Sequence, residues 1–281
     1  MRKILIPTDF SENSMNAIKY ATELFKYDRS EIYLLHAFAD SVYEAKTHSE
    51  GETFEVVKQK YLQTAEENLE ETCKQIRSFS PNPKHTVHSV AEFGMLVDSV
   101  NDWVEKENID VVVMGTKGET GNDKITFGSN TLQVIKYVKC PVLAIPAVFG
   151  EVDPKQILFP TDFQLPYKRR ELKLVSCIAK CFVAKINFLY ISKFPSLSLR
   201  QEDNKTFLEA SFCENQLNFC QESANDITTA INTYLIENPI DMLVMVNTRH
   251  SYLENILYQS TIEKIGLKID IPFLVLQNLP R

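Results

Sequence analysis

Lys3-Ile-Leu-Ile-Pro-Thr-Asp-Phe10 returns later in the chain as Gln156-Ile-Leu-Phe-Pro-Thr-Asp-Phe163. In both copies a short β-rich apolar run ends in proline, a hydroxyl residue and a carboxylate. Two further matches follow in the same order: Asp110-Val-Val-Val-Met114 with Asp241-Met-Leu-Val-Met245, and Cys140-Pro-Val-Leu-Ala-Ile145 with Ile271-Pro-Phe-Leu-Val-Leu276. Three ordered matches identify a tandem repeat, which decides the architecture. The first two matches lie closer together in the second copy, so its missing residues are expected between its second and third strands. The repeat predicts domains at 1–149 and 150–281, with a linker near 147–154 where Gly150 and Pro154 break the pattern.

Each copy alternates strands and helices. In the first, strands are expected at 4–7, 32–36, 85–90, 111–114 and 142–145. Helices are expected at 11–27, 53–79, 95–106 and 129–137. Ile18, Ala21, Leu24 and Phe25 share one face of the first helix, and Ser11 can cap it. Val100, Trp103 and Val104 form the apolar side of the third. Glu66, Glu67, Glu70 and Glu71 read as a solvated face, with Lys74 an i, i+4 partner for Glu70. In the second copy, strands are expected at 157–159, 186–190, 217–220, 242–245 and 273–276. Helices are expected at 170–182, 227–236 and 260–267. Such alternation predicts an α/β protein built from two doubly wound, mainly parallel five-stranded sheets in tandem.

The bulk numbers agree. At 281 residues the length suits two domains, and 44% hydrophobic content lets each bury a core. A formal charge of -7 argues against nonspecific binding to nucleic acid, which needs a surplus of Lys and Arg. The apolar run at the start stops at Pro7, too short for a signal peptide, and no run approaches a membrane span. Six scattered cysteines without a Cys-x-x-Cys pair suit reduced thiols, so a cytoplasmic setting without membrane contact is expected.

In open α/β sheets ligands sit beyond the carboxyl ends of the strands, where strand order reverses. Pro7-Thr8-Asp9 follows the first strand. Gly115-Thr-Lys-Gly118 follows the fourth, and nine residues later Gly128-Ser129 opens a helix. Glycines permit close approach of a ligand, and a helix N-terminus favours phosphate. Ser129 can add a hydroxyl, and Asp9 can accept from ribose hydroxyls. There is no Walker-type loop, and no Gly-x-Gly-x-x-Gly follows the first strand. The three glycines also read as turn glycines, and Asp9 as a helix cap. His36 reads as a hydrogen-bonded core residue. His85 and His88 fall on opposite faces of a strand, which disfavours a shared metal. Cys177 and Cys181 read as buried apolar residues.

Pro-Thr-Asp-Phe-Ser, Leu-Leu-His after the second strand, and Asp-x-x-x-Met-Gly followed by Gly-x2-Gly-x9-Gly-Ser together resemble the universal stress protein family, over essentially the whole chain and twice. The resemblance implies a Rossmann-like fold of the adenine-nucleotide α-hydrolase type and binding of ATP or AMP, with magnesium as an optional companion. It places Asp9 on the ribose and the Ala37 backbone beside adenine. Gly115, Gly118, Gly128, Ser129 and Asn130 would surround sugar and phosphates, and Pro7 and Thr8 would shape the rim. It also implies that the copies pair within one molecule through their final strands, as family members dimerise, with a homodimer of chains as a further option. In the second copy Val246, Arg249 and Gln259 replace the three glycines. Ser260 and Asp162 keep their places, so a degenerate site is expected there. Three functions stay open: a nucleotide-binding stress or signalling protein, a nucleotide-independent interaction module, and a slow ATP hydrolase. A pyrophosphatase is disfavoured, because Pro-Thr-Asp-Phe-Ser stands where that chemistry needs a Ser-Gly-Gly loop.

Overall fold

The computed structural model describes residues 1–48, 53–116, 127–164, 167–192, 196–224, 226–247, 253 and 269–278. The chain divides into two compact units between Ala147 and Val148. Among the described residues no helix is long and apolar enough to cross a membrane.

In the first unit the strands are β1 (Arg2–Pro7), β2 (Ser30–Ala37), β3 (His85–Glu92), β4 (Val111–Gly115) and β5 (Val142–Ile145). All pair in parallel, in the order β3-β2-β1-β4-β5. The chain runs outward from β1 to β3, then returns past β1 to β4. Strand order therefore reverses between β1 and β4, which is where a ligand crevice forms in such sheets. Every residue of β4 is buried, as expected of a strand covered on both faces.

The helices follow the sequence closely. α1 (Glu12–Leu24) buries Ala17, Ile18, Ala21 and Leu24, with Phe25 as its C-cap, and Ser11 caps it by accepting the Ser14 N–H. α2 (Ala39–His48) was not expected. α3 (Phe54–Phe79) exposes the four glutamates, and Lys74 pairs with Glu70 at 3.0 Å. α4 (Leu96–Glu107) buries Val100 and Val104, while half-buried Trp103 donates its indole N–H to Glu92 at 2.6 Å. α5 (Ser129–Tyr137) leads into β5.

The second unit repeats the scheme: β6 (Gln156–Thr161), β7 (Lys185–Ile191), β8 (Gln216–Glu222), β9 (Met242–Asn247) and β10 (Phe273–Gln277), parallel in the order β8-β7-β6-β9-β10. Its helices are α6 (Arg169–Phe182), α7 (Leu199–Ser211) and α8 (Ile227–Glu237); the helix expected at 260–267 lies outside the described residues. The missing residues fall where the repeat puts them. Between its second and third strands this unit has, among the described residues, α7 alone, of 13 residues, where the first has helices of 10 and 26.

The aspartate that opens the second repeated motif has a fold role in both units. Asp110 Oδ2 accepts the Lys3 N–H at 2.9 Å, and the Asp110 N–H donates to the Lys3 carbonyl. Asp241 Oδ2 accepts from both Lys155 and Gln156 N–H at 2.8 Å, and its own N–H donates to the Gln156 carbonyl. The latch sets one register twice: Ile4 opposite Val111, and Ile157 opposite Met242.

Candidate functional site

The turn after β1 is fixed by short-range bonds. Thr8 is buried. Its Oγ1 accepts the Phe10 N–H at 3.1 Å and bonds the Ser14 hydroxyl at 3.0 Å. Phe10 takes φ 63°, a left-handed conformation costly for a bulky residue, about 1–3 kcal/mol. Its ring lies 4.5 Å from that of His36, which bonds the Thr8 carbonyl through Nδ1 at 2.7 Å. A carbonyl only accepts, so Nδ1 carries the proton. Burial lowers the His36 pKa, which keeps the ring neutral, while its bond to the Thr8 backbone and the Asp9 charge oppose this.

This lock turns Asp9 outward. The residue is exposed, and both of its hydrogen bonds use Oδ1: it accepts the Ser11 N–H at 3.1 Å and the Ser11 hydroxyl at 2.6 Å. Asp9 is thus not the cap of α1; it orients Ser11, which is. Among the described residues Oδ2 is left able to accept from a ligand.

The opposite wall comes from β4 and α5. The Thr116 N–H donates to the Ile145 carbonyl at 2.8 Å, and the Gly128 N–H to the Thr116 carbonyl at 2.7 Å. The Thr131 hydroxyl donates to the Gly115 carbonyl at 2.8 Å. These bonds set the first turn of α5 beside the end of β4. Gly128 is its N-cap, without a side-chain cap, and Ser129 and Asn130 are exposed. The first-turn N–H groups and the helix dipole make this edge receptive to an anion. Ala37 is half-buried at the end of β2, on the other side of β1.

Pro7 and Thr8 are buried beneath the turn. Gly115 is buried, and a Cβ on it would lie 3.0 Å from the Asn13 carbonyl oxygen, so its lack of a side chain serves the seating of α1 on β4. Cys177 is half-buried and Cys181 exposed, so neither is a core residue. Gly128 has φ -65° and ψ 160°, which any residue can adopt, so its torsions do not call for glycine. Gly118 lies outside the described residues. Among the described residues no group of three or more His, Cys, Asp and Glu side chains is placed to hold a metal ion.

The second unit builds the same turn and then covers it. Phe163 takes φ 56°, Thr161 Oγ1 accepts its N–H at 3.0 Å, and Asp162 Oδ1 accepts the Gln164 N–H at 2.8 Å. The Tyr167 hydroxyl bonds Thr161 where Ser14 bonds Thr8. Over this turn lies α7. Gln201 donates to the Asp162 carbonyl at 2.8 Å and Asn204 to the Phe163 carbonyl at 2.7 Å. Strand register puts Tyr190 in the place of His36 and Ile191 in that of Ala37, both buried. Val246 stands buried in the place of Gly115, while Arg249, Gln259 and Ser260 lie outside the described residues. Asp162 is half-buried, and burial pushes its carboxyl above the usual range against two backbone N–H bonds.

The Universal stress protein family model matches residues 1–146. A universal stress protein of Methanocaldococcus jannaschii is 30% identical over 144 residues, covering 51% of this chain and 81% of that protein. Another from the same organism is 28% identical over 156 residues, covering 51% of this chain and 94% of its own. The crystal structure of a universal stress protein from Archaeoglobus fulgidus is similar in fold, with a TM-score of 0.71 at 18% identity over 98% of both chains.

Two outcomes follow from the packing. Gly115→Ala should lower the melting temperature, because the Asn13 backbone cannot yield cheaply; about 1–3 kcal/mol is expected from chemical denaturation. An unchanged midpoint would show that α1 can shift freely. Asp162→Asn should stabilise the protein at neutral pH. The folded carboxyl holds its proton to higher pH than the unfolded one, so native stability falls as pH rises through that window. Asparagine has no proton to lose, so the gain should fade below the unfolded carboxyl's pKa. Melting curves of both proteins from pH 4 to 7 check this.

Proposed function

The chain belongs to the universal stress protein family, and from that premise we propose that its first unit binds an adenine nucleotide, ATP or AMP, in a stress-response or signalling role. The observation that carries the proposal is the pairing, across the β1/β4 switch point, of an exposed Asp9, whose Oδ2 makes no hydrogen bond among the described residues, with the uncapped first turn of α5. A carboxylate oxygen accepts from ribose hydroxyls. First-turn N–H groups with the Ser129 hydroxyl and Asn130 suit phosphate oxygens. Ala37, the smallest side chain at the end of β2, leaves room for a flat base next to the sugar.

The same features argue for binding over turnover. His36 is neutral and committed to the Thr8 carbonyl, and Asp9 is committed on one side to Ser11. Neither is an activated base for water. The second unit, with its turn covered by α7, is proposed as a structural partner. Pairing of the two copies through their final strands belongs to the same reading. Small-angle scattering should fit one compact particle, and a profile of two independent beads would contradict it.

Asp9→Asn tests the site with little disturbance. Its amide oxygen still accepts from Ser11, while the other oxygen becomes an N–H donor. Calorimetric titration should show affinity for ATP or AMP reduced about tenfold or more, as for loss of a hydrogen bond to a charged group. Asp162→Asn should leave affinity unchanged. Absence of adenine-nucleotide binding at millimolar ligand, or equal effects of the two substitutions, would overturn the proposal.

A further inference from the structure

The second unit carries a cavity walled by two of its helices. It is about 370 Å³ in volume and lies between α6 and α7. From α6 its wall includes Arg169, Lys173, Ser176 and Lys180, four positions on one stripe of the helix. From α7 it includes Phe207 and Ser211. Two helices that pack through apolar side chains would close such a gap. Here the facing stripe of α6 is cationic, while its apolar residues Leu172, Val175, Ile178 and Phe182 are buried elsewhere.

The charges are not balanced locally. Lys180 pairs with Glu214. Arg169 and Lys173 are exposed and make no ion pair among the described residues. They sit one helical turn apart, about 6 Å along the axis, where like charges repel. Arg169 is held over the Phe207 ring, 5.5 Å from its centroid, which fixes the guanidinium at the mouth of the cavity. An anion with several oxygens relieves the repulsion and matches the guanidinium fork.

The hydroxyls narrow the ligand further. Ser176, which is buried, donates its proton to Asn215 Oδ1 at 2.6 Å, and the Asn215 amide donates back to the Ser176 carbonyl at 3.1 Å. Ser211 donates to the Phe207 carbonyl at 2.7 Å. With their protons committed, both hydroxyls present only lone pairs to the cavity. A partner must therefore bring its own O–H donors. The volume lies at the lower end of small-molecule sites and exceeds what a bare ion needs.

We infer that this α6/α7 cavity binds a small hydroxylated phosphate monoester, with the phosphate on Arg169 and Lys173 and the ligand's hydroxyls on Ser176 and Ser211. The site is independent of the nucleotide site proposed for the first unit, and its strand-end turn plays no part in it.

The test is calorimetric titration of the full chain with ribose 5-phosphate, inorganic phosphate and ribose. Ribose 5-phosphate should bind more tightly than either fragment. The Arg169→Gln/Lys173→Gln double variant should weaken it at least about tenfold while its melting temperature and adenine-nucleotide affinity stay unchanged. Lys173→Glu, a single charge reversal, should abolish it. Asp9→Asn should leave it unaltered. No binding of ribose 5-phosphate at millimolar concentration would overturn the inference, as would binding that survives Lys173→Glu. A loss caused by Asp9→Asn would place the sugar phosphate in the first unit, which also contradicts it.

Discussion

A threonine hydroxyl at the end of the first strand of each unit accepts the N–H of a phenylalanine two residues on, and that bond holds the phenylalanine in a left-handed conformation. The strain is real for a bulky residue, and several contacts oppose it together. Ser14 and His36 brace the turn in the first unit; Tyr167 and Tyr190 do so in the second. The neighbouring aspartate accepts the next N–H but one, and its carboxylate is aimed away from the sheet. Placement of a carboxylate at the switch point depends on this turn, and the helix that follows starts from it.

One turn therefore serves two ends, and the difference lies in what is laid over it. In the first unit Asp9 faces solvent across from the open start of α5. In the second, the shorter connection between the second and third strands brings α7 directly onto the turn, and its buried Gln201 ties down the Asp162 backbone. Ile191 adds bulk where the first unit has Ala37. Asp162 is left as a half-buried carboxyl that burial keeps reluctant to ionise. The second unit keeps the fold device and loses access to it.

Much of this was legible in the sequence. Strands covered on both faces read as unbroken apolar runs and the edge strand β3 as an alternating one, so the ten strands were found within a few residues. The repeated aspartates at 110 and 241 were visible as a match, although not as a latch, because a hydrogen bond across 107 positions leaves no local pattern. α7 went unseen since it buries only Gln201 and Leu208, so no apolar stripe marks it; its capping box, Ser198 with Gln201, was the available signal. The packing role of Gly115 was hidden, because sequence spacing cannot show that Asn13 lies across from it. Cys177 and Cys181 fall opposite the apolar stripe of α6, so their exposure could have been read from the helical period. The left-handed phenylalanines, the strongest common feature of the two copies, are invisible without coordinates.

The central claim is that two identical turns give one accessible nucleotide site. The binding stoichiometry of AMP or ATP to the full chain, measured with protein stripped of any co-purified nucleotide, addresses it most directly. A single equivalent per chain, bound more weakly by Asp9→Asn and unchanged in Asp162→Asn, is the result expected. Two equivalents per chain, or one that is lost only in Asp162→Asn, would contradict it.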